Sequence, residues 1–283
     1  AIHGYSSRGQ LLPLDQFVAD AELDLDARFG TNYRQYQYEG SLYALPDRGG
    51  AMIVYYNRDM FDAAGIAYPT NEWTWEDFLS AAQALTVRDG DAVTQYGFAA
   101  GGWWPWWMSF IYQNGGAVLD ENGLPVINSA EVVEALQLYN DLVYTYEVAP
   151  SPEDYANLGT NSPDPLFAQG KVAMIMTGFW NIASLRDVPD LNWDIAPVWG
   201  NVERGTVAFG SGLAISSATA HPEEAFQIIE FLTGEAAQTV IVERGQDAPA
   251  NVTVLESELF LSGETFANRD IYMEAFAESA DAI

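Results

Sequence analysis

The chain has 283 residues, with 40 acidic side chains against 11 basic ones, a formal net charge of −29, no cysteine, two histidines and nine tryptophans. That charge is wrong for a duplex nucleic-acid binder, which needs a basic face for phosphates, and the missing thiols exclude disulfides, Cys-ligated zinc and thiol catalysis. With 49% hydrophobic and 13% aromatic residues the chain is not of the disordered kind, and no apolar run reaches the roughly 18 residues of a membrane span, which leaves an acidic globule of one large or two modest domains.

Ala1 to Tyr5 begins without the basic and apolar regions of a secretory signal, and both ends read as cut. The spacing of Phe17, Val18, Ala21 and Leu25 predicts an amphipathic helix over residues 15–30. Residues 41–46 (SLYALP) predict a short strand, and residues 51–56 (AMIVYY) a strand buried on both faces. Asn57 then caps a helix that Gly65 ends. Thr74 caps a helix over 74–84, with Asp77 in its first turn and Trp75, Phe78, Ala82 and Leu85 along one stripe. Residues 95–99 predict a strand. Trp103, Trp104, Pro105, Trp106 and Trp107 lead into an apolar helix that stops at Gly115 and Gly116.

Residues 129–146 predict a helix with Val132, Val133, Leu136, Tyr139, Leu142 and Val143 on one face. Residues 150–165 hold four prolines and predict a long loop, with a short helix after it at 164–170. Residues 172–177 (VAMIMT) predict a buried strand that runs into Gly178, Phe179 and Trp180. Strands follow at 194–197 and 207–217, the second with Gly210 and Gly212 inside it. Pro222 opens an amphipathic helix to Leu232, and residues 266–283 read as a helix without a closing cap. Strands alternating with helices of this length make the chain α/β.

Catalytic side chains are sparse. His221 precedes Pro222 where a helix starts, so helix entry is its first reading, and His3 lies near the terminus. Gly210-Ser211-Gly212 is half of a nucleophile elbow, but no helix follows and no histidine is placed to activate the serine. Asp89-Gly90-Asp91 and Asp120-Glu121-Asn122-Gly123 lack the glutamate that closes a calcium loop and read as β-turns. No catalytic group, metal or cofactor is expected, although 40 acids make chance carboxylate pairs of the glycosidase kind common. Aromatics are the richer inventory. An indole offers a flat apolar face and one N–H donor, which suits the C–H face and hydroxyl rim of a sugar ring. Two of the four tryptophans in 103–107 are expected in the core. Trp180 follows a buried strand and a glycine, so core packing and ligand contact both fit it.

Four blocks carry a family resemblance in order and spacing. They are Leu42-Tyr43-Ala44-Leu45-Pro46 with Val54 to Phe61 and Ala64-Gly65-Ile66; Trp73 to Phe78 with Ala81-Ala82 and Leu85-Thr86; residues 167–180 (FAQGKVAMIMTGFW); and residues 222–233 (PEEAFQIIEFLT). In these blocks the chain resembles the extracellular solute-binding proteins of sugar-type ABC importers, the family of the maltose- and oligosaccharide-binding proteins. The resemblance implies an α/β, two-lobed, periplasmic-binding-protein-like fold with a hinge and an interlobe ligand cleft. Residues 1–53 and 210–283 would form an incomplete first lobe and 54–209 the second. Members are usually longer, which implies a chain truncated at both ends.

The same resemblance implies a monomeric binding protein, not an enzyme, that captures a neutral mono- or oligosaccharide and delivers it to ABC permease subunits in the membrane. It would act outside the cytoplasm, in the periplasm or at the cell surface, with any lipid anchor on a segment absent here, and without nucleic acid as a partner. By position, Trp180, the segment Trp103, Trp104, Trp106 and Trp107, and Gly178 and Phe179 match the aromatic ligand-stacking positions. Asp47 and Arg48, the strand Gly210, Ser211 and Gly212, and Arg244 match polar and backbone positions near the ligand. Two other readings stay open: a phosphorylated or anionic ligand such as glycerol phosphate, which needs converging arginines, and a glycosidase with paired carboxylates.

Overall fold

The computed structural model describes residues 2–99, 101–261, 271 and 279–281. Its helices are α1 (Ile2–Ser6), α2 (Asp15–Asp20), α3 (Leu25–Phe29), α4 (Arg58–Ala64), α5 (Trp75–Leu85), α6 (Trp104–Gln113), α7 (Ala130–Tyr144), α8 (Pro152–Asn157), α9 (Pro163–Ala168), α10 (Ile182–Leu185), α11 (Pro222–Leu232), α12 (Glu235–Glu243), α13 (Val252–Leu255) and α14 (Glu258–Leu261). Its strands are β1 (Gln37–Tyr38), β2 (Ser41–Leu42), β3 (Ala44–Asn57), β4 (Val87–Asp89), β5 (Ala92–Ala99), β6 (Val172–Gly178), β7 (Trp193–Ala196), β8 (Thr206–Ala214), β9 (Ala248–Pro249) and β10 (Ser279–Asp281). The chain divides into two compact units, one of residues 2–50 and 209–261, the other of residues 51–208 with 279–281. It passes from one unit to the other inside β3 and inside β8.

The unit of residues 51–208 is a mixed sheet with helices packed on it. β3 pairs antiparallel with β7 on one side and with β6 on the other, β6 pairs parallel with β5, and β4 and β5 form an antiparallel hairpin. Every residue of Ala51–Asn57 and of Val172–Gly178 is buried, as strands covered on both faces require. α5 is set by its first turn. Thr74 Oγ1 accepts from the Asp77 N–H, and the Asp77 carboxylate accepts from the Thr74 N–H at 2.9 Å, a reciprocal capping box. The helix buries Trp75, Phe78, Ala81, Ala82 and Leu85. At the core, Phe78 and Trp199 stack with ring centroids 3.7 Å apart, and Phe98 and Phe110 meet Trp199 edge-on.

The other unit gathers α2, α3, the β1–β2 hairpin, α11 and their neighbours around Leu14, Phe29, Leu42, Leu45, Ile215, Phe226 and Ile229. β9 pairs with β3 at Arg48–Pro249 and Gly49–Ala248. α11 opens with Pro222 in its first turn and buries Phe226 and Ile229.

Five elements differ from what the sequence pattern predicts. The helix expected over 15–30 is two, α2 and α3, because Glu22 adopts a left-handed φ of 51° and Asp24 starts a new N-cap. The long loop expected over 150–165 contains α8 and the start of α9, since Pro152 and Pro163 occupy first-turn positions where no N–H is needed. Trp104, Pro105, Trp106 and Trp107 lie within α6 rather than before it, again with proline in the first turn. The buried face of α7 is Val132, Ala135 and Leu142, whereas Val133 and Leu136 are exposed. The helix expected over 266–283 lies outside the described residues except at Ile271, which is helical, and at 279–281, which are strand and pair parallel with Thr206–Ala208 of β8.

Candidate functional site

β6 delivers the first group of residues. Its last residue, Gly178, is followed by a tight helical turn, Phe179–Asn181, and the Gly178 carbonyl accepts from the Tyr55 hydroxyl at 2.9 Å. The turn sends Phe179 inward, 1% exposed, and leaves Trp180 half-buried. The Trp180 indole lies across Gly178: a Cβ there would sit 1.7 Å from the ring. Trp103 is the hub of the cluster. Its ring centroid lies 6.0 Å from Trp180, 5.7 Å from Trp106 and 6.1 Å from Trp104, each pair edge-on, and its side chain is 40% exposed.

Trp106 is the anchor beneath. It is buried, and its Nε1 donates to the Met176 carbonyl of β6 at 2.6 Å. Of the four tryptophans, Trp106 alone is buried, where two were expected in the core. Trp106 and Phe179, both expected at a ligand, lie in the interior, and Trp106 packs edge-on beneath Trp103. Trp104 and Trp107 are half-buried. The structure therefore brings together Trp103, Trp104, Trp106, Trp180 and Gly178 into one aromatic cluster.

The second group belongs to the other unit. Asp47 Oδ2 lies 3.4 Å from Arg48 Nε, and the Ser211 hydroxyl donates to the same oxygen at 3.3 Å. Asp247 is buried, with Oδ1 accepting from the Ala248 N–H at 2.8 Å. Burial pushes its carboxyl up to about 7, nearby Asp47 adds to the shift, and the Ala248 N–H and the Arg48 charge oppose it. Gly210 and Gly212 owe their identity to close approach. A Cβ on Gly210 would sit 2.3 Å from the Arg48 carbonyl oxygen, and one on Gly212 would sit 2.7 Å from the Tyr36 ring. That face of β8 is thus filled by protein. Ser211 lies mid-strand, so the half-elbow in the sequence is not one. Arg244 is exposed at the C-cap of α12.

Sequence reasoning missed Tyr36 and Gly101. Tyr36 is buried and its hydroxyl has no hydrogen-bond partner among the described residues; burial raises the tyrosine well above its ordinary pKa. Gly101 carries the Trp106 ring, which would lie 2.1 Å from a Cβ there. The glycine pair just before the tryptophan run was the available signal. His221 occupies the N-cap of α11, as its place before Pro222 suggested. Among the described residues no group of three or more His, Cys, Asp or Glu could hold a metal ion, and no helix is long and apolar enough to cross a membrane.

Comparison with known proteins gives this geometry a family. An arabinooligosaccharide-binding protein of Halalkalibacterium halodurans is 27% identical over 235 residues, 78% of this chain and 49% of the relative. The maltodextrin-binding protein of Bacillus subtilis is 26% identical over 227 residues, 77% of this chain and 52% of its own length. An ABC substrate-binding protein from Listeria monocytogenes, solved in complex with cycloalternan, superposes with a TM-score of 0.92 at 28% identity, over 100% of this chain and 72% of that one. The chain thus spans about half the length of the curated relatives it matches. Its fold is that of the two-lobed α/β sugar-binding proteins. The family model of the bacterial extracellular solute-binding proteins matches residues 2–239, and the chain belongs to that family.

Proposed function

We propose that the protein is the substrate-binding component of an ABC importer, which captures a neutral mono- or oligosaccharide outside the cytoplasm and delivers it to membrane permease subunits. The observation that carries this reading is the aromatic cluster at the end of β6, where Trp103 and Trp180 keep exposed faces over buried supports. Stacking on an indole face uses the C–H side of a sugar and leaves its hydroxyls free for amides, hydroxyls and carboxylates. Trp180, Trp103 and Trp104 are the sugar-facing rings, with Gly178 and Trp106 as their supports and the chain neighbours Trp107 and Phe179 as further candidates. Asp47, Arg48 and Ser211 make a second, polar set for hydroxyls, with Gly210 and Gly212 shaping the strand that carries Ser211 and Arg244 as a further candidate. The similarity to arabinooligosaccharide- and maltodextrin-binding proteins supports a sugar ligand. The family works outside the cytoplasm; anchoring through lipid and action as a monomer are parts of the proposal.

A thermal-shift screen of the full chain against arabino-, malto- and manno-oligosaccharides tests the reading. A sugar that binds only the folded state raises Tm by linkage; no shift with any sugar of the panel overturns it. With a binding sugar in hand, Trp180→Ala should weaken affinity by about 1–3 kcal/mol, the scale of lost aromatic packing at an anchor residue. Unchanged affinity by calorimetry in a folded variant removes Trp180 from the site.

One observation favours a second reading. Asp247 is a buried carboxyl pushed up to about 7, chiefly by burial, with the Asp47 carboxylate near enough to add to the shift, and a buried, raised acid is what a glycosidase uses to protonate its leaving group. Incubation with the same oligosaccharides decides it: new reducing ends support hydrolysis and overturn the carrier reading.

A further inference from the structure

α7 is apolar around more of its circumference than its burial uses. Val132, Ala135 and Leu142 face the core. Leu136, Tyr139, Asn140, Val143 and Tyr144 follow the spacing i, i+3, i+4, i+7 and i+8, which places them on one stripe of the helix. This stripe forms one wall of a groove of about 480 Å³, within the roughly 300–1,000 Å³ of small-molecule sites. Pro152, Tyr155 and Asn161, from α8 and the segment after it, are part of the opposite wall.

Three features say what such a groove would hold. Among the described residues no charged side chain lines it, in a chain with 51 charged residues made of 40 acids and 11 bases, so the described lining offers no cation to an anionic group. Its lining mixes flat faces, the tyrosine rings and Pro152, with the amides of Asn140 and Asn161, which lie at exposed positions; a pyranose or furanose presents C–H faces and hydroxyls in the same alternation. It is also continuous with the indole cluster through Gly101. The Gly101 carbonyl accepts from the Tyr139 hydroxyl at 2.7 Å, while its Cα carries the Trp106 ring. One residue thus belongs to the groove lining and to the floor of the aromatic cluster.

We propose that the groove between α7 and α8 is a second carbohydrate subsite, which takes the sugar units that follow the one stacked on the indoles, and that the ligand is therefore a neutral oligosaccharide rather than a monosaccharide. This rests on the sugar reading above. The groove holds chain length, the indoles hold the terminal ring, and removing groove contacts costs long ligands while sparing short ones.

The test is calorimetry on the full chain with mono-, di-, tri- and tetrasaccharides of the arabinan, maltodextrin and mannan series. Ala156→Trp fills the groove from an exposed position on α8, and Asn140→Ala removes one amide from an exposed position on α7. Wild-type affinity should rise with chain length, and each variant should bind tri- and tetrasaccharides about tenfold more weakly with unchanged affinity for the shortest ligand. If Ala156→Trp does not fold, Asn140→Ala carries the comparison. Variant affinities equal to wild type at every length, or reduced equally at every length, overturn the groove assignment and leave the sugar reading intact. No binding of any sugar by the wild type overturns the sugar reading and this inference with it.

Discussion

Gly178 shows how a missing side chain makes an aromatic platform. The Trp180 ring occupies the volume a Cβ would take, so Gly178→Ala forces the indole off the end of β6. The expected result is a loss of about 1–3 kcal/mol in stability, the cost of overpacking, together with lost sugar binding and a shift in tryptophan fluorescence; a variant with wild-type fluorescence and binding would show that the ring has another place to go. Asp247 makes the second prediction at this scale. Its folded carboxyl is raised from an ordinary 3.8 to about 7, chiefly by burial. Below the lower value both folded and unfolded chains hold the proton, and no stability is lost. As pH rises through the window to about 7, the unfolded chain ionises in water while the folded one resists, so stability falls. Asp247→Asn should flatten that fall and be the more stable protein at pH 8, read by urea unfolding at pH 4, 6 and 8. Equal slopes in the two proteins sink the assignment. The place of Trp180 at the end of a buried strand was legible in the sequence because its strand and glycine are local; Tyr36, which packs on Gly212, was not, because the two are far apart in sequence and meet only in the fold.

At the scale of elements, the chain's punctuation decides what can be read. α5 announces itself, since the Thr74 cap, the Asp77 at the third position and the apolar stripe agree. Thr74→Ala removes the acceptor for the Asp77 N–H and should cost about 1 kcal/mol in urea unfolding; no loss would mean that water or a neighbour takes over the cap. Proline was the misleading signal. Pro105, Pro152 and Pro163 read as breakers, yet each sits in the first turn of a helix, where its fixed φ is already helical and its absent N–H is not missed. Ser151 and Asp154 form a capping box behind Pro152, with the Ser151 N–H donating to the carboxylate at 2.8 Å, so the start of α8 was visible to a reader who placed the cap before the proline. The stripe of α7 was misassigned for another reason: hydrophobic periodicity marks a face that avoids water but does not say whether protein or ligand covers it.

Across the whole molecule, the charge of −29 acts as a distributed repulsion that folding must overcome. Raising sodium chloride from about 0.01 M to 0.5 M shortens the screening length several-fold and should raise Tm by several degrees; a Tm that stays flat or falls would show that local ion pairs outweigh the net field. The α/β class and most strands were legible at this scale because buried strands are continuous apolar runs, as in Val172–Gly178. The passage of the chain between units inside β3 and β8 has a consequence for the order of synthesis. Leu14, Phe29, Tyr36 and Leu42 leave the ribosome early, but Ile215, Phe226, Ile229 and Ala250, the other half of the same core, emerge only after residues 51–208. The intervening unit holds most of its own sheet within that stretch and can collapse first, as domains do during translation. The amino-terminal segment must wait with half a core exposed, and closing so long a loop onto its late partners makes this the slow step of folding.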